Sequence, residues 1–162
     1  KNGWEVHIAG SESYDTGGDP DYAKKIKKSA RGLPVRFHGM LNSEKELAEL
    51  YSQSAIFVYP SLAEKGETFG LAVLEAMAWG CVPIVSRLSC FVDFVKHAKN
   101  GLTFDHRSAV GMENFADIMI DLIKKNTVRH DMSVEAHETA KDFAVQVLGN
   151  KFIRNFKVIK TN

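Results

Sequence analysis

The chain has 162 residues, of which 44% are hydrophobic and 25% are charged, and its formal net charge is +1. These values predict one soluble globular domain with a sizeable core. They disfavour nucleic acid as a partner, since nucleic-acid-binding domains are usually basic, and no apolar run approaches the ~20 residues that span a bilayer. The two cysteines, Cys81 and Cys90, lack metal-ligand spacing and are interpreted as reduced core residues of a cytoplasmic protein.

The first elements are a strand and a basic helix. Residues 4–9 alternate in polarity and predict a strand that ends at Gly10. Asp19 or Asp21 is expected to cap a helix over 22–31. Its five cations are interpreted mainly as a solvated face, with an anionic membrane surface or an acidic partner as the alternative. These cations are Lys24, Lys25, Lys27, Lys28 and Arg31.

A second strand and helix follow. The run 35–38 predicts a strand that ends at Gly39, Met40 and Leu41. Ser43 and Glu46 have the spacing of a capping box, which predicts the start of a helix that continues through residue 51.

The most informative stretch, residues 56–86, reads IFVYPSLAEKGETFGLAVLEAMAWGCVPIVS. Its pattern predicts a strand over 55–59, a loop over 61–68, a helix over 69–79 closed by Gly80, and a strand over 82–85. Strand, helix and strand in so few residues form one βαβ unit, which predicts a parallel sheet.

Two glutamates stand out in this unit. Glu75 interrupts a helix that is otherwise almost entirely apolar, and Glu67 lies just before that helix. A helix that is apolar on every side is normally buried, so Glu75 is expected to be partly buried or to lie at a cleft. Its partner is then either a structural cation or amide, or the hydroxyl groups of a ligand.

The start of the same helix predicts an anion site. The amides of Phe69, Gly70 and Leu71 are expected in the first turn, where they lack intrahelical acceptors. A helix start that follows a parallel strand is a natural phosphate site. The alternative is that Thr68 simply caps the helix.

The run P-S-x-x-E-x-x-E-T-F-G-L-A-V-L-E-A-M-A-x-G-x-V-P-I-V-S resembles the signature of glycosyltransferase family 4. These are retaining enzymes of the two-domain GT-B architecture, and Glu67 and Glu75 match their two glutamates. The resemblance covers nearly the whole chain. It implies an α/β fold, a Rossmann-like parallel sheet flanked by helices, which forms one half of a GT-B fold. Residues 1–142 would be the nucleotide-sugar-binding domain and residues 143–162 a helix that packs toward an N-terminal domain.

The resemblance also implies the function and the roles of the site residues. The enzyme would transfer a sugar from a UDP-, GDP- or ADP-linked donor, with Glu75 on the ribose and Glu67 as the catalytic residue at the donor sugar. Neither a metal nor another cofactor is expected. The remaining donor contacts would come from Gly10, Gly39, Met40, Leu41, Thr68, Phe69, Gly70 and Leu71, with the segment 39–41 at the nucleobase.

Two departures from the family pattern qualify this interpretation. The usual Gly-Gly-x-Pro-Glu-like segment is replaced by residues 88–93, LSCFVD. The phosphate-binding Arg and Lys of the family belong to a unit that would precede Lys1. We therefore expect a fragment that binds its donor weakly and transfers nothing alone. Its acceptor, a glycan, lipid or small molecule in polysaccharide biosynthesis, would bind the N-terminal domain. The location would be cytoplasmic, with peripheral contact to the inner face of the cytoplasmic membrane as the alternative.

The rest of the chain predicts mainly helices. A short helix is expected over 91–98, a turn at Asn100-Gly101, a strand over 102–104, and helices over 109–125, 128–142 and 143–158, with Ser108 as a cap. His130 and His137 share a face but lack a third metal ligand.

Two rival functions stay open. One is another GT-B enzyme, a nucleotide-sugar epimerase or a phosphorylase. The other is a non-catalytic flavodoxin-like module that binds a partner, although such a module has no reason to keep the pair Glu67 and Glu75.

Overall fold

The structure is a computed structural model that describes residues 3–63, 68–150 and 153. The chain divides into two compact units, residues 1–49 and residues 50–162. In both units the strands that pair are parallel, as predicted. The described strands form a two-stranded sheet and a three-stranded sheet.

The first unit contains strand β1 (Val6–Ala9), helix α1 (Pro20–Ser29) and strand β2 (Val35–Gly39). β1 and β2 pair from Val6 opposite Val35 onward. Asp19 is the cap of α1, because its carboxylate accepts hydrogen bonds from the amides of Asp21 (2.9 Å) and Tyr22 (3.1 Å). The helix therefore begins two residues earlier than predicted, with Pro20 in its first turn.

Helix α2 (Glu44–Ser52) links the two units and begins with the predicted capping box. The amide of Glu46 donates to Ser43 Oγ at 3.2 Å, and the Ser43 amide donates to the Glu46 carboxylate at 3.2 Å. This reciprocal pair satisfies two backbone donors that a helix start leaves without partners.

The second unit contains strand β3 (Ile56–Tyr59), helix α3 (Leu71–Ala78) and strands β4 (Val82–Ser86) and β5 (Leu102–Phe104). Helices α4 (Gly111–Lys124) and α5 (Asn126–Lys141) follow. The sheet order is β3-β4-β5, which confirms the predicted βαβ unit.

The core of this unit lies on both faces of β4, whose five residues are all buried. Val85 packs on one side against α3 and α5, whereas Val82 and Ile84 pack on the other side against α4 and α5. Successive residues of a strand point to opposite faces, so a fully buried apolar strand requires a layer on each side. This three-layer arrangement is the one that the βαβ pattern predicts.

The prediction of a helix over residues 91–98 is wrong. The structure has a short 3-10 helix over Ser89–Phe91 followed by turns, and Ala98 has a positive φ of 61°. The cause is the buried side chain of Asn100, which accepts from the Lys96 amide at 2.7 Å and donates to the Phe94 carbonyl at 2.8 Å. These bonds satisfy backbone groups that a regular helix would otherwise pair.

The cap predicted at Ser108 is also wrong. α4 begins at Gly111 with Val110 at its N-cap, and the Ser108 carbonyl accepts from the Gly111 amide at 2.9 Å in a preceding turn. A side chain at Gly111 would overlap the Asp105 carbonyl oxygen. The close approach of these two backbone segments therefore sets the start of the helix.

The predicted C-terminal helix falls largely outside the described residues. Residues 145–150 and 153 are helical, and the predicted domain boundary after residue 142 stays a prediction. Within the described part of the chain, no helix is both long and apolar enough to cross a membrane.

Candidate active site

Four of the predicted donor-binding residues meet where β1 and β2 end. The Gly10 amide donates to the Gly39 carbonyl at 2.8 Å, so these two glycines lie side by side. The pairing register shifts between Ile8 and Ala9, and Gly39 has a φ of +67°. Met40 is exposed and Leu41 is half-buried at the same edge. The carboxyl ends of parallel strands are where α/β sheets bind ligands.

The N-terminus of α3 differs from the prediction. Helix α3 begins at Leu71, and Gly70 is its N-cap with a φ of +79°. Phe69 and Gly70 therefore lie outside the helix, and Thr68 does not cap it. The first-turn amides are those of Leu71, Ala72 and Val73, of which Val73 donates to the Gly70 carbonyl at 3.0 Å. The N-cap supplies no side-chain acceptor, so the helix start presents backbone donors.

Gly70 is required by packing as well as by conformation. A Cβ atom there would overlap Phe91 Cε1 and lie 3.0 Å from Phe91 Cδ1. Phe91 belongs to the segment that replaces the glycine-rich run of the family, and its ring is almost completely buried. Phe91, one residue of this divergent segment, therefore packs directly against the start of α3.

Glu75 is exposed, so the expectation of a partly buried side chain is wrong, and its alternative, a position at a cleft, stays a prediction. Leu71 (60% exposed) and Trp79 (51% exposed) lie four residues on either side of it and form one exposed stripe of α3. The buried residues are on the opposite side of the helix. They are Val73, Leu74, Ala76 and Met77.

Tyr51 is a site residue that the sequence reasoning missed, because it was treated only as the end of α2. Tyr51 is 8% exposed, and Glu75 lies near enough for its negative charge to act on the tyrosine hydroxyl. Burial raises the pKa of Tyr51 to about 12, and the negative charge of Glu75 adds to this rise. A polar residue at a helix end beside a buried strand was the only signal in the sequence.

The second predicted glutamate, Glu67, lies outside the described residues, together with residues 64–66. Its role as the catalytic residue stays a prediction. The set formed by Gly10, Gly39, Met40 and Leu41 belongs to the first compact unit, and Thr68 to Glu75 belong to the second.

No group of three or more metal-ligating side chains occurs within residues 3–63, 68–150 and 153. His137 instead lies with Nδ1 2.7 Å from the Ala78 carbonyl oxygen, where it joins α5 to the end of α3. An imidazole N–H that donates to this carbonyl makes a structural contact.

Comparison with known proteins identifies the family. A family model described as glycosyl transferases group 1 matches residues 1–139. The chain belongs to this family. This match confirms the glycosyltransferase resemblance that the glutamate motif indicated.

Two curated relatives agree with this assignment. Sulfoquinovosyl transferase SQD2 of Arabidopsis thaliana is 35% identical over 86 residues, which are 53% of this chain and 16% of that protein. A GDP-mannose-dependent alpha-(1-6)-phosphatidylinositol dimannoside mannosyltransferase of Mycobacterium tuberculosis is 31% identical over 90 residues, 56% of this chain and 23% of that protein. The chain thus spans less than a quarter of the length of either relative.

A solved structure confirms the fold class. Anabaena HepE in complex with UDP-glucose superposes with a TM-score of 0.76 and 18% sequence identity, over 95% of this chain and 41% of that one. The prediction of an α/β, Rossmann-like fold is therefore correct. The domain corresponds to one half of a GT-B fold.

Proposed function

We propose that this chain is the donor-binding half of a retaining glycosyltransferase, which transfers a sugar from a nucleotide-diphosphate sugar to an acceptor. The observation that carries the proposal is the match of residues 1–139 to the group 1 family. The exposed Glu75 on α3 supports it, because an accessible carboxylate accepts hydrogen bonds from two adjacent ribose hydroxyls.

The start of α3 is assigned to the diphosphate and the donor sugar. First-turn amides and the positive end of the helix dipole favour an anion there. Fixed dipoles of this kind stabilise the negative charge that develops on the departing diphosphate. We place Thr68, Phe69, Gly70 and Leu71 along this part of the donor, and Glu67 at the hydroxyls or the developing positive charge of the sugar. We assign no metal to this step.

The nucleobase is assigned to the strand-end glycines. Gly10 and Gly39 are paired there, and the backbone of residues 39–41 faces the same edge. The mycobacterial relative is named for GDP-mannose, whereas Anabaena HepE was solved with UDP-glucose. Members of the family therefore differ in nucleotide, and UDP, GDP and ADP donors are all candidates.

Calorimetric titration with UDP, GDP and ADP and their glucose conjugates tests the proposal. We expect one nucleotide series to bind, and we expect Glu75→Gln to weaken that binding by roughly tenfold or more, the loss typical of a hydrogen bond to a charged group. Glu113→Gln, which neutralises an exposed carboxylate on α4, is the matched control and should bind like the unmodified chain.

A further titration with inorganic phosphate and product analysis after incubation with a nucleotide sugar test the rival functions. Binding of inorganic phosphate without any nucleotide would indicate a phosphorylase. Conversion of a bound nucleotide sugar to its epimer would indicate an epimerase. Equal nucleotide affinity of the Glu75→Gln variant would remove the ribose assignment.

We further propose a cytoplasmic location with peripheral contact to an anionic membrane, where a glycan, lipid or small-molecule acceptor of polysaccharide biosynthesis is used. The basic face of α1 supports this contact. Lys27 is paired with Glu12 at 2.6 Å, and Lys24, Lys25 and Lys28 are exposed. Each lysine near an anionic surface contributes about 1 kcal/mol of attraction.

Sedimentation with lipid vesicles tests the membrane contact. We expect binding to phosphatidylserine-containing vesicles but not to pure phosphatidylcholine, and Lys28→Glu should weaken it severalfold. Lys124→Glu, which reverses the charge of another exposed lysine, on α4, is the control. Equal losses in both variants would show that α1 is not the contact surface.

A further inference from the structure

The cations of α1 are not spread evenly around the helix. Lys24, Lys27 and Lys28 are three or four residues apart, so their side chains project from one face. Arg31 follows in the turn after the helix, and its amide donates to the Lys28 carbonyl at 3.4 Å. Lys25 belongs to the same helix, but a rotation of about 100° per residue places it beyond the edge of this face. One helix thus carries a grouped set of cations and a separate lysine for comparison.

The grouped cations border an open cleft that lies within the first compact unit. Its volume is about 340 Å³, and Glu12, from the loop over residues 11–18, also lines it. In this loop the Gly18 amide donates to the Ser13 carbonyl at 2.8 Å. A Cβ atom at Gly18 would overlap the Ser11 carbonyl oxygen. The loop that carries Glu12 is therefore folded tightly against itself.

Positive charge exceeds negative charge in the cleft. Four cations line it, and Glu12 is the one carboxylate among the described residues that do so. Glu12 is already paired, with 2.6 Å between its Oε2 atom and Lys27 Nζ. The other three cations of the lining form no ion pair within residues 3–63, 68–150 and 153. Because like charges at this spacing repel, an anion in the cleft would stabilise the arrangement.

We propose that this cleft binds a phosphate monoester, with Lys24, Lys28 and Arg31 as its partners. A phosphate monoester carries about −1.5 to −2 charge at neutral pH and has three acceptor oxygens. It therefore fits three grouped cations better than a carboxylate, which carries a single charge. The Arg31 guanidinium is able to donate to two oxygens at once, whereas each lysine supplies a point charge.

The same chemistry has two sources, a soluble phosphate monoester and the headgroup of the lipid phosphatidate. In the lipid case the inference rests on the membrane contact proposed for α1, and it names the group that the protein recognises there. In the soluble case it is independent of that contact. None of the three cations is assigned to the nucleotide-sugar donor, so the inference does not depend on donor binding.

Chemical-shift titration of the isotope-labelled chain with glycerol 3-phosphate tests the soluble source, with glycerol as the control ligand at the same ionic strength. We expect the amides of Glu12, of α1 and of its following turn to shift. Lys24→Gln and Arg31→Gln should weaken binding by roughly threefold to tenfold, as expected for the loss of one exposed charged contact. Lys25→Gln removes an exposed charge of the same helix outside the cleft and should leave this affinity unchanged.

Glu12→Gln should have the opposite effect. It removes the negative charge that a phosphate meets in the cleft and releases Lys27 from its ion pair, so binding of glycerol 3-phosphate should strengthen severalfold. Weaker binding in this variant would contradict the assignment of the cleft. Circular dichroism and the melting temperature verify that each variant is folded.

Sedimentation with two kinds of phosphatidylcholine vesicle tests the lipid source. One contains phosphatidate and the other contains phosphatidylserine, at equal zeta potential. We expect tighter binding to phosphatidate. Lys24→Gln should abolish this preference, whereas Lys25→Gln should weaken binding to both vesicles equally and keep it. A preference in either the soluble or the lipid experiment identifies the source of the phosphate.

Two results would overturn the inference. One is an equal loss of glycerol 3-phosphate binding in Lys24→Gln and Lys25→Gln. The other is the absence of a phosphatidate preference together with shifts only at the start of α3, or none. If both vesicles still bind equally in that case, the proposed membrane contact stands and only the cleft assignment fails. If glycerol 3-phosphate binds at α1 and neither vesicle binds, the membrane contact fails and the cleft assignment stands.

Discussion

At the scale of single residues, Gly70 and Gly80 stand at the two ends of α3 with nearly the same backbone conformation, φ +79° and +78°. Their surroundings differ. A Cβ atom at Gly70 would overlap the buried ring of Phe91, whereas one at Gly80 would lie 3.1 Å from the hydroxyl of Ser133. Substitutions at these two positions therefore distinguish the strain of a left-handed backbone from the cost of a steric clash.

We expect Gly70→Ala to destabilise the protein more than Gly80→Ala. Both variants carry roughly 1–2 kcal/mol of strain for a left-handed residue with a Cβ atom. Gly70→Ala should add about 1–3 kcal/mol, because Phe91 cannot move without disturbing its neighbours. Urea denaturation followed by circular dichroism measures the difference. Equal losses would mean that the Phe91 ring moves aside at little cost.

At the scale of elements, hydrogen bonds at the helix ends satisfy the free backbone groups of α2 and α3. α3 ends in a Schellman arrangement, in which the Gly80 amide donates to the Met77 carbonyl at 2.9 Å and the Cys81 amide donates to the Ala76 carbonyl at 3.0 Å. α2 begins with the Ser43 and Glu46 capping box. Hydrogen bonds from the Ser43 side chain and backbone hold the pKa of Glu46 below its usual range.

This lowered pKa predicts a pH-dependent contribution from the cap. Ionised Glu46 stabilises the folded state above the unfolded-state pKa of about 4.3, and the contribution is lost as the pH falls through the lower folded-state pKa. Glu46→Gln should therefore lower the melting temperature at pH 7, and the difference from the unmodified chain should shrink below pH ~4.

The control for this prediction is Glu44→Gln, in the same first turn of α2. It reports the interaction of a carboxylate with the helix dipole without the capping hydrogen bonds. If the melting temperatures of Glu46→Gln and the unmodified chain differ by the same amount from pH 7 to below pH ~4, ionised Glu46 does not stabilise the cap.

At the scale of the whole molecule, the chain consists of two compact units and is short compared with its relatives. The described structure supplies strand ends in one unit and the α3 site in the other. Transfer requires a donor and an acceptor held together in a site that excludes water. The roles that we have assigned to this chain all concern the donor, and none of its residues is assigned to the acceptor.

We therefore expect the isolated chain to bind nucleotide weakly and to transfer no sugar. Incubation with labelled nucleotide sugars and candidate glycan or lipid acceptors, with product detection by mass spectrometry, measures this directly. Transfer by these 162 residues alone would contradict the assignment of the chain as one half of the enzyme. A longer form that transfers, and that loses activity in Glu75→Gln, is the positive control.

Local patterns were sufficient for much of the architecture. The alternation of β1, the apolar runs of β3 and β4 and the capping residues Asp19 and Ser43 act over a few neighbours, and the structure agrees with them. The glutamate motif identified the family because many residues match at fixed spacing. The prediction failed over 91–98, where the Asn100 side chain replaces regular helical bonding through contacts with Phe94 and Lys96.

By itself, the sequence determined the family, the parallel βαβ core and the presence of Glu75 on α3, because these follow from short-range periodicity and motif spacing. Only the tertiary structure decided that α3 starts at Leu71, that Glu75 is exposed and that Tyr51 is buried. The physical reason is that these features depend on which surfaces meet. Phe91 fills the space beside Gly70, the opposite side of α3 faces the core, and the end of α2 packs on β3.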